Sequence, residues 1–87
     1  MEASCGWVVA VKVDQRTDNA VRVQEVLTRH GCLIRARLGL HETSKDYCAN
    51  FGLIILHCCG SAEEVASLVG DLNGISGVTA KSLGLDT

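Results

Sequence analysis

The chain has 87 residues, 47% of them hydrophobic, yet its only aromatics are Trp7, Tyr47 and Phe51; it reads as a single domain over 1–87 with a thin core of Val, Leu, Ile and Ala. Eight basic and ten acidic residues leave a net charge of -2, which gives no long-range attraction toward phosphate backbones or anionic lipid and argues against direct nucleic-acid binding. No apolar run reaches the roughly 18–20 residues of a membrane span, and the amino terminus lacks the basic and long apolar segments of a signal peptide, so a cytoplasmic protein is expected.

In chain order, residues 1–6 read as a loose tail, followed by a central strand from Trp7 to Val13 that is β-branched or apolar apart from Lys12. The polar turn Asp14-Gln15-Arg16-Thr17-Asp18 offers Thr17 or Asp18 as a helix cap, and Ala20, Val23, Val26, Leu27 and His30 form the apolar face of the next helix. Gly31 is expected to stop that helix in a left-handed conformation. Cys32 to Leu40 then reads as a second strand, with Ile34, Ala36, Leu38 and Leu40 on one side and Arg35 and Arg37 on the other, a composition suited to a sheet edge. The polar stretch His41 to Asn50 is a hairpin loop leading to Phe51 to Cys59, the most hydrophobic strand of the chain.

Ser61-Ala62-Glu63-Glu64 has the spacing of a capping box, in which the serine hydroxyl and the glutamate carboxylate each satisfy an otherwise orphan backbone amide. The second helix buries Ala62, Val65, Leu68, Val69 and Leu72, stops at Asn73-Gly74, and leads to a last strand from Val78 to Leu85. An offset of 45 residues lays Val9, Val11, Val13, Val23, Leu27 and Leu38-Gly39-Leu40 onto Ile54, Leu56, Cys58, Leu68, Leu72 and Leu83-Gly84-Leu85. Two similar strand-helix-strand units, neither able to bury its apolar face alone, predict an α+β, ferredoxin-like βαββαβ sandwich with a four-stranded antiparallel sheet and two helices on one face.

The third strand is apolar at both parities. If Ile54, Leu56 and Cys58 face the helices, then Phe51, Leu53, Ile55, His57 and Cys59 lie on the opposite face, beside Val8 and Ala10 of the first strand. Covering several such side chains is worth several kcal/mol at about 25 cal/mol per Å². Val8, Ala10, Phe51, Leu53, Ile55 and His57 are therefore the expected interface of a homodimer or homotetramer.

The five cysteines, Cys5, Cys32, Cys48, Cys58 and Cys59, include no CxxC spacing and read as reduced thiols, mostly core filler, with Cys58 and Cys59 on opposite faces of their strand. His41, Glu42, Asp46 and Cys48 lie within eight residues of one loop and supply nitrogen, oxygen and sulfur donors that a nickel or zinc ion would accept. The turn Asp14, Gln15, Arg16, Thr17, Asp18, Asn19 leads into a helix amino terminus and is a candidate site for a small carboxylate ligand. Gly70, Gly74 and Gly77 do not follow a strand and do not fit a nucleotide fingerprint. No nucleophile elbow, phosphate loop or HExxH motif is present.

Arg35-Ala36-Arg37-Leu38-Gly39-Leu40, the strand Gly52 to Leu56, and Leu68-Val69-Gly70-Asp71-Leu72-Asn73-Gly74-Ile75-Ser76-Gly77-Val78 resemble the iron-only hydrogenase system regulator family, over roughly Trp7 to Leu85. That family is similar to ACT regulatory domains and to the metal-binding domain of nickel-responsive repressors. The resemblance implies an ACT-like fold, assembly through sheets and a regulatory role. In the first strand-to-helix turn, where amino-acid-binding ACT domains commonly carry a glycine, this chain has Asp14 to Asn19. His41 falls near a histidine position of the nickel-binding strand, and Cys48 lies close to its cysteine position. Nothing within these 87 residues is long or basic enough to be a DNA-binding module, so a role in transcription is expected to run through a protein partner.

These observations point to a non-enzymatic, oligomeric regulatory or ligand-sensing module. The alternative is a metal-binding protein using the His41 to Cys48 loop. A small enzyme on this fold would need a convergent acid, base and nucleophile, which the sequence does not offer.

Overall fold

A computed structural model of the chain describes residues 4–14, 19–40 and 51–86. The elements run β1 (Ser4–Asp14), α1 (Asn19–Arg29), β2 (Ile34–Leu40), β3 (Phe51–Gly60), α2 (Ala62–Asn73) and β4 (Val78–Gly84). The strands form one antiparallel sheet in the order β2-β3-β1-β4, so each helix crosses over a neighbouring strand and the two apolar strands β1 and β3 occupy the centre. This is the α+β βαββαβ sandwich that the internal repeat predicts. Ala10 and Ile55, equivalent under the 45-residue offset, are direct cross-strand partners, which places the pseudo-twofold axis between them.

Strand alternation builds the core. Val9, Val11 and Val13 of β1, Leu56 and Cys58 of β3, and Val78 and Ala80 of β4 are buried together with Val23, Val26 and Leu27 of α1 and Val65, Leu68 and Leu72 of α2. Trp7 closes one end of this layer: its Nε1–H donates to the Gly60 carbonyl at 3.2 Å. A Cβ at Gly84 would lie 2.9 Å from its indole ring, so the bare backbone there is what lets β4 pass the tryptophan.

The capping box at α2 forms as the spacing predicts. Glu64 N–H donates to Ser61 Oγ at 3.1 Å, and Ser61 N–H donates to Glu64 Oε1 at 2.9 Å. At the other end of α2, the Asn73 side chain takes up both backbone groups of Ala80, donating to its carbonyl at 3.0 Å and accepting from its N–H at 2.7 Å. That amide stands where a further strand would pair and closes part of the β4 edge. Gly77, at φ 83°, makes the turn into β4 in a conformation that a side chain would strain.

Four expectations need correction. Ser4 to Gly6 are not a loose tail but part of β1, which begins at Ser4. Gly31 does not adopt a left-handed conformation, since Gly77 alone among the described residues has positive φ. Helix α1 instead unwinds through tight turns, with Gly31 N–H donating to the Thr28 carbonyl at 3.1 Å and Leu33 N–H to the His30 carbonyl at 3.0 Å.

In β2 the pairing register shifts between Ile34 and Ala36. The extra residue, Arg35, reverses the facing of the residues after it. Ile34 therefore packs against the core while Ala36 and Leu38 pair with His57 and Ile55 on the other face, and Arg37 pairs with Leu56. Arg37 accordingly donates from Nη1 to Gln24 Oε1 of α1 at 3.1 Å. Finally, Cys5 and Cys59 are joined in a disulfide across 54 residues of sequence, rather than being free thiols. The extension of β1 beyond Trp7 brings Cys5 opposite Cys59, a pairing that depends on strand register and leaves no local motif.

The helices are also linked electrostatically. His30 at the end of α1 donates from Nε2 to Asp71 Oδ2 of α2 at 2.8 Å, and Arg29 Nη1 lies 3.6 Å from the same oxygen. The His30 hydrogen bond holds the Asp71 carboxyl below the ordinary carboxylate range, outweighing the opposing effect of desolvation, with smaller electrostatic contributions from His30 and Arg29.

This packing has three measurable outcomes. Leu68→Ala, at a fully buried position, lowers stability by about 2–5 kcal/mol in urea unfolding, and Ser61→Ala costs about 1 kcal/mol. Because the Asp71 pKa is depressed in the folded state, its contribution is present above the unfolded carboxylate pKa of about 4 and is lost as pH falls through the folded value. Asp71→Asn therefore flattens the acid limb of the stability-versus-pH curve below about pH 4.

Candidate functional site

Both helices lie on one face of the sheet, which leaves the other face uncovered by the described elements. Three cross-strand rows compose it. Leu38, Ile55, Ala10 and Lys81 form the central row; Ala36, His57, Val8 and Leu83 lie on one side of it, and Leu53, Lys12 and Thr79 on the other. Val8, Ala10, Leu53 and Ile55 are half-buried by one another, whereas Leu38 and Leu83 are 58% and 59% exposed. The result is a continuous apolar surface with ammonium groups at one margin.

The β2 register enlarges this surface. Lys81, the repeat equivalent of Ala36, sits opposite Ala10, yet the position opposite Ile55 is taken by Leu38 rather than Ala36. A leucine is thereby placed beside the central isoleucine. Leu38 and Leu83 were not among the interface residues expected from sequence. The signal for Leu83 was the odd parity of the last strand, while Leu38 depends on the bulge at Arg35.

Of the six expected interface residues, Val8, Ala10, Leu53, Ile55 and His57 share this face. Phe51 pairs with Asp14 across the ladder, and its side chain lies outside the described residues. His57 is exposed and donates from Nε2 to the Cys5 carbonyl at 2.8 Å. Cys59 and its disulfide to Cys5 stand at the same end of the face. Cys58, one residue earlier, points into the core, where burial pushes its thiol pKa up and keeps it protonated.

Asp14 closes β1 at the opposite end, half-buried, with its N–H donating to the Gly77 carbonyl at 2.8 Å. The remaining candidate ligand-binding residues, Gln15, Arg16, Thr17, Asp18 and the side chain of Asn19, lie outside the described residues. The candidate metal ligands His41 and Cys48, together with Glu42 and Asp46, lie outside them as well. Among the described residues, no group of three or more His, Cys, Asp or Glu side chains is placed to hold a metal ion, and no helix is long and apolar enough to cross a membrane.

The described surface includes a groove and a dish. A groove of about 300 Å³ between the end of α1 and the start of α2 is lined by Arg29, His30, Cys32, Leu33, Glu64 and Ser67. A dish of about 170 Å³ on the open sheet face is lined by Ala10, Lys12, Leu53, Thr79 and Lys81. Ligand pockets usually span roughly 300–1,000 Å³, so the dish alone encloses too little to define a ligand, and the extended apolar face is the dominant feature.

Comparison with known proteins places this architecture. The structure of an uncharacterized protein from Thermotoga maritima is similar at TM-score 0.79 and 24% identity, covering 97% of this chain and 96% of the other. The ACT domain of a GTP pyrophosphokinase from Chlorobium tepidum is similar at TM-score 0.69 and 15% identity, covering 88% and 95%. A formyltetrahydrofolate deformylase from Pseudomonas putida is similar at TM-score 0.59 and 10% identity over 93% of this chain and 29% of its own length. These likenesses establish a shared ACT-like fold. No curated protein matches the chain. A family model, TM1266-like, matches residues 7–82, which include every strand and helix except the first residues of β1 and the last of β4; the chain belongs to this family, the iron-only hydrogenase system regulators.

Proposed function

We propose that the chain is a non-enzymatic regulatory module that assembles through its open sheet face into an even-numbered homo-oligomer and takes a small effector at the turn following Asp14. The observation that carries this is the apolar face itself: Leu38, Ile55, Ala10, Val8, Leu53 and Leu83 are contiguous across four strands, on a domain whose helices cover only the opposite side. A surface of this kind is stabilised by several kcal/mol when a second copy covers it. A second copy presents the same apolar surface about a twofold axis, and a twofold interface requires such self-complementarity.

The same strand connects assembly to the candidate effector site. Val8 and Ala10 lie on the assembly face of β1, and Asp14 ends that strand at the turn into α1. An effector that binds the turn better in one assembly state shifts the equilibrium by the difference of its two affinities. Membership in a family named for hydrogenase system regulation agrees with a module that changes state rather than one that turns over substrate.

Native mass spectrometry tests the assembly. Wild-type protein is expected as a dimer or tetramer, and Ile55→Asp, which sets a carboxylate in the middle of the face, weakens association by at least about 100-fold while the fold persists. A wild-type monomer at the highest accessible concentration would contradict the proposal. Retained mass on the oligomer would give the chemical class of the effector, and its loss on Asp14→Ala would locate it.

A further inference from the structure

The amino-terminal end of β1 is held unlike the rest of the strand. From Trp7 to Asp14 each residue pairs in register with β3, and Val9, Val11 and Val13 anchor the strand in the core. Before Trp7 the register shifts, so that Ser4 lies opposite Gly60. Ser4, Cys5 and Gly6 contribute no buried side chain. What holds them is polar and partly wet: the Gly6 carbonyl accepts from Leu85 N–H at 2.7 Å, Ser4 Oγ donates to the Asp86 carboxylate, and the Cys5 carbonyl accepts from His57 Nε2 at 2.8 Å. Added to these is one covalent tie, the Cys5–Cys59 disulfide.

We propose that this disulfide is a reversible redox clamp that fixes Ser4 to Gly6 and, through them, Leu85 and Asp86 at one end of the sheet, and is opened by a dithiol reductant. Cys5 is exposed and Cys59 half-buried, so the sulfur of Cys5 is the accessible point of attack. A reductant thiolate attacks Cys5 Sγ; the S–S bond breaks, Cys59 leaves as thiolate and takes up a proton, and a mixed disulfide remains on Cys5. The second thiol of the reductant attacks its own sulfur in that mixed disulfide and releases Cys5 as a thiol. The protein disulfide gains two electrons and two protons, and the dithiol becomes a disulfide.

Opening the clamp leaves Ser4 to Gly6 with hydrogen bonds alone, at a point where the bulge has already interrupted the ladder. Their release takes the partners of Leu85 and Asp86 with it, so the two segments loosen together. Cys58, the thiol adjacent in sequence, is buried on the helix side and stays protonated, which leaves Cys59 to re-form its bond with Cys5 on oxidation. Because Cys59 and His57 also lie on the open face, release alters one end of the assembly surface. This last consequence rests on the assembly proposed above, whereas the clamp does not.

Hydrogen exchange read by mass spectrometry on oxidised and phosphine-reduced protein tests the clamp. Reduction is expected to speed exchange at Cys5 to Trp7 and at Leu85 and Asp86 by about tenfold or more, with Val9 to Val13 and α2 unchanged. Cys5→Ser reproduces the fast exchange and removes its response to reductant, and the thermal midpoint falls by on the order of 10 °C. Identical exchange at both segments in the two redox states, or failure of the pair to oxidise with glutathione disulfide, would overturn the clamp. Native mass spectrometry in the same two states separates it from assembly: a monomer in both, with exchange still redox-dependent, would remove the assembly consequence and retain the clamp.

Discussion

The structure depends on an imbalance between the two faces of one sheet. Two strand-helix-strand repeats place both helices against the layer formed by Val9, Val11, Leu56 and Cys58, and an antiparallel sheet can leave its second face to water when that face is polar. Here β3 is apolar at both parities and β1 adds Val8 and Ala10 to the open face, so burial of one layer does not exhaust the hydrophobic driving force. A domain of this size has a modest core. The surplus apolar area is therefore directed outward, which is the ground for the proposed contact with another copy.

The sheet edges disfavour strand addition. Asn73 occupies the backbone groups of Ala80 on the outer side of β4, which removes one point at which another strand would add. On the far side, β2 carries Arg35 and Arg37, of which Arg37 turns back to Gln24, and its bulge twists the ladder. The same bulge aligns Leu38 with Ile55. One inserted residue thus both disfavours edge pairing and extends the apolar face. The disulfide adds a second constraint at the sheet end, where Trp7, Gly60, Gly84 and Asp86 converge.

Much of this was legible in the sequence because it rests on local periodicity. The capping box at Ser61, the two-sided apolar strand from Phe51 and the 45-residue repeat each carry their meaning within a short window, and the elements, their order and the open apolar face derive from them. Features that depend on register between distant strands were not legible. The facing of Ala36 and Leu38 turns on an extra residue at Arg35, for which composition offers no sign. The Cys5–Cys59 pair joins positions whose proximity exists only once β1 is extended past Trp7. The candidate ligand positions from Gln15 and from His41 lie outside the described residues, and they rest on residue type and spacing alone.

Side-chain footprinting by hydroxyl radicals across a protein concentration series tests whether a second copy covers the apolar face, because it reads the face rather than the mass. Val21, 62% exposed on α1, is an internal reference of the same chemistry on the opposite layer. Leu38 and Leu83 should lose reactivity as concentration rises, while Val21 stays reactive throughout. Reactivity of Leu38 and Leu83 that tracks Val21 at every concentration would show that the apolar face remains uncovered, and would contradict an assembly built on it.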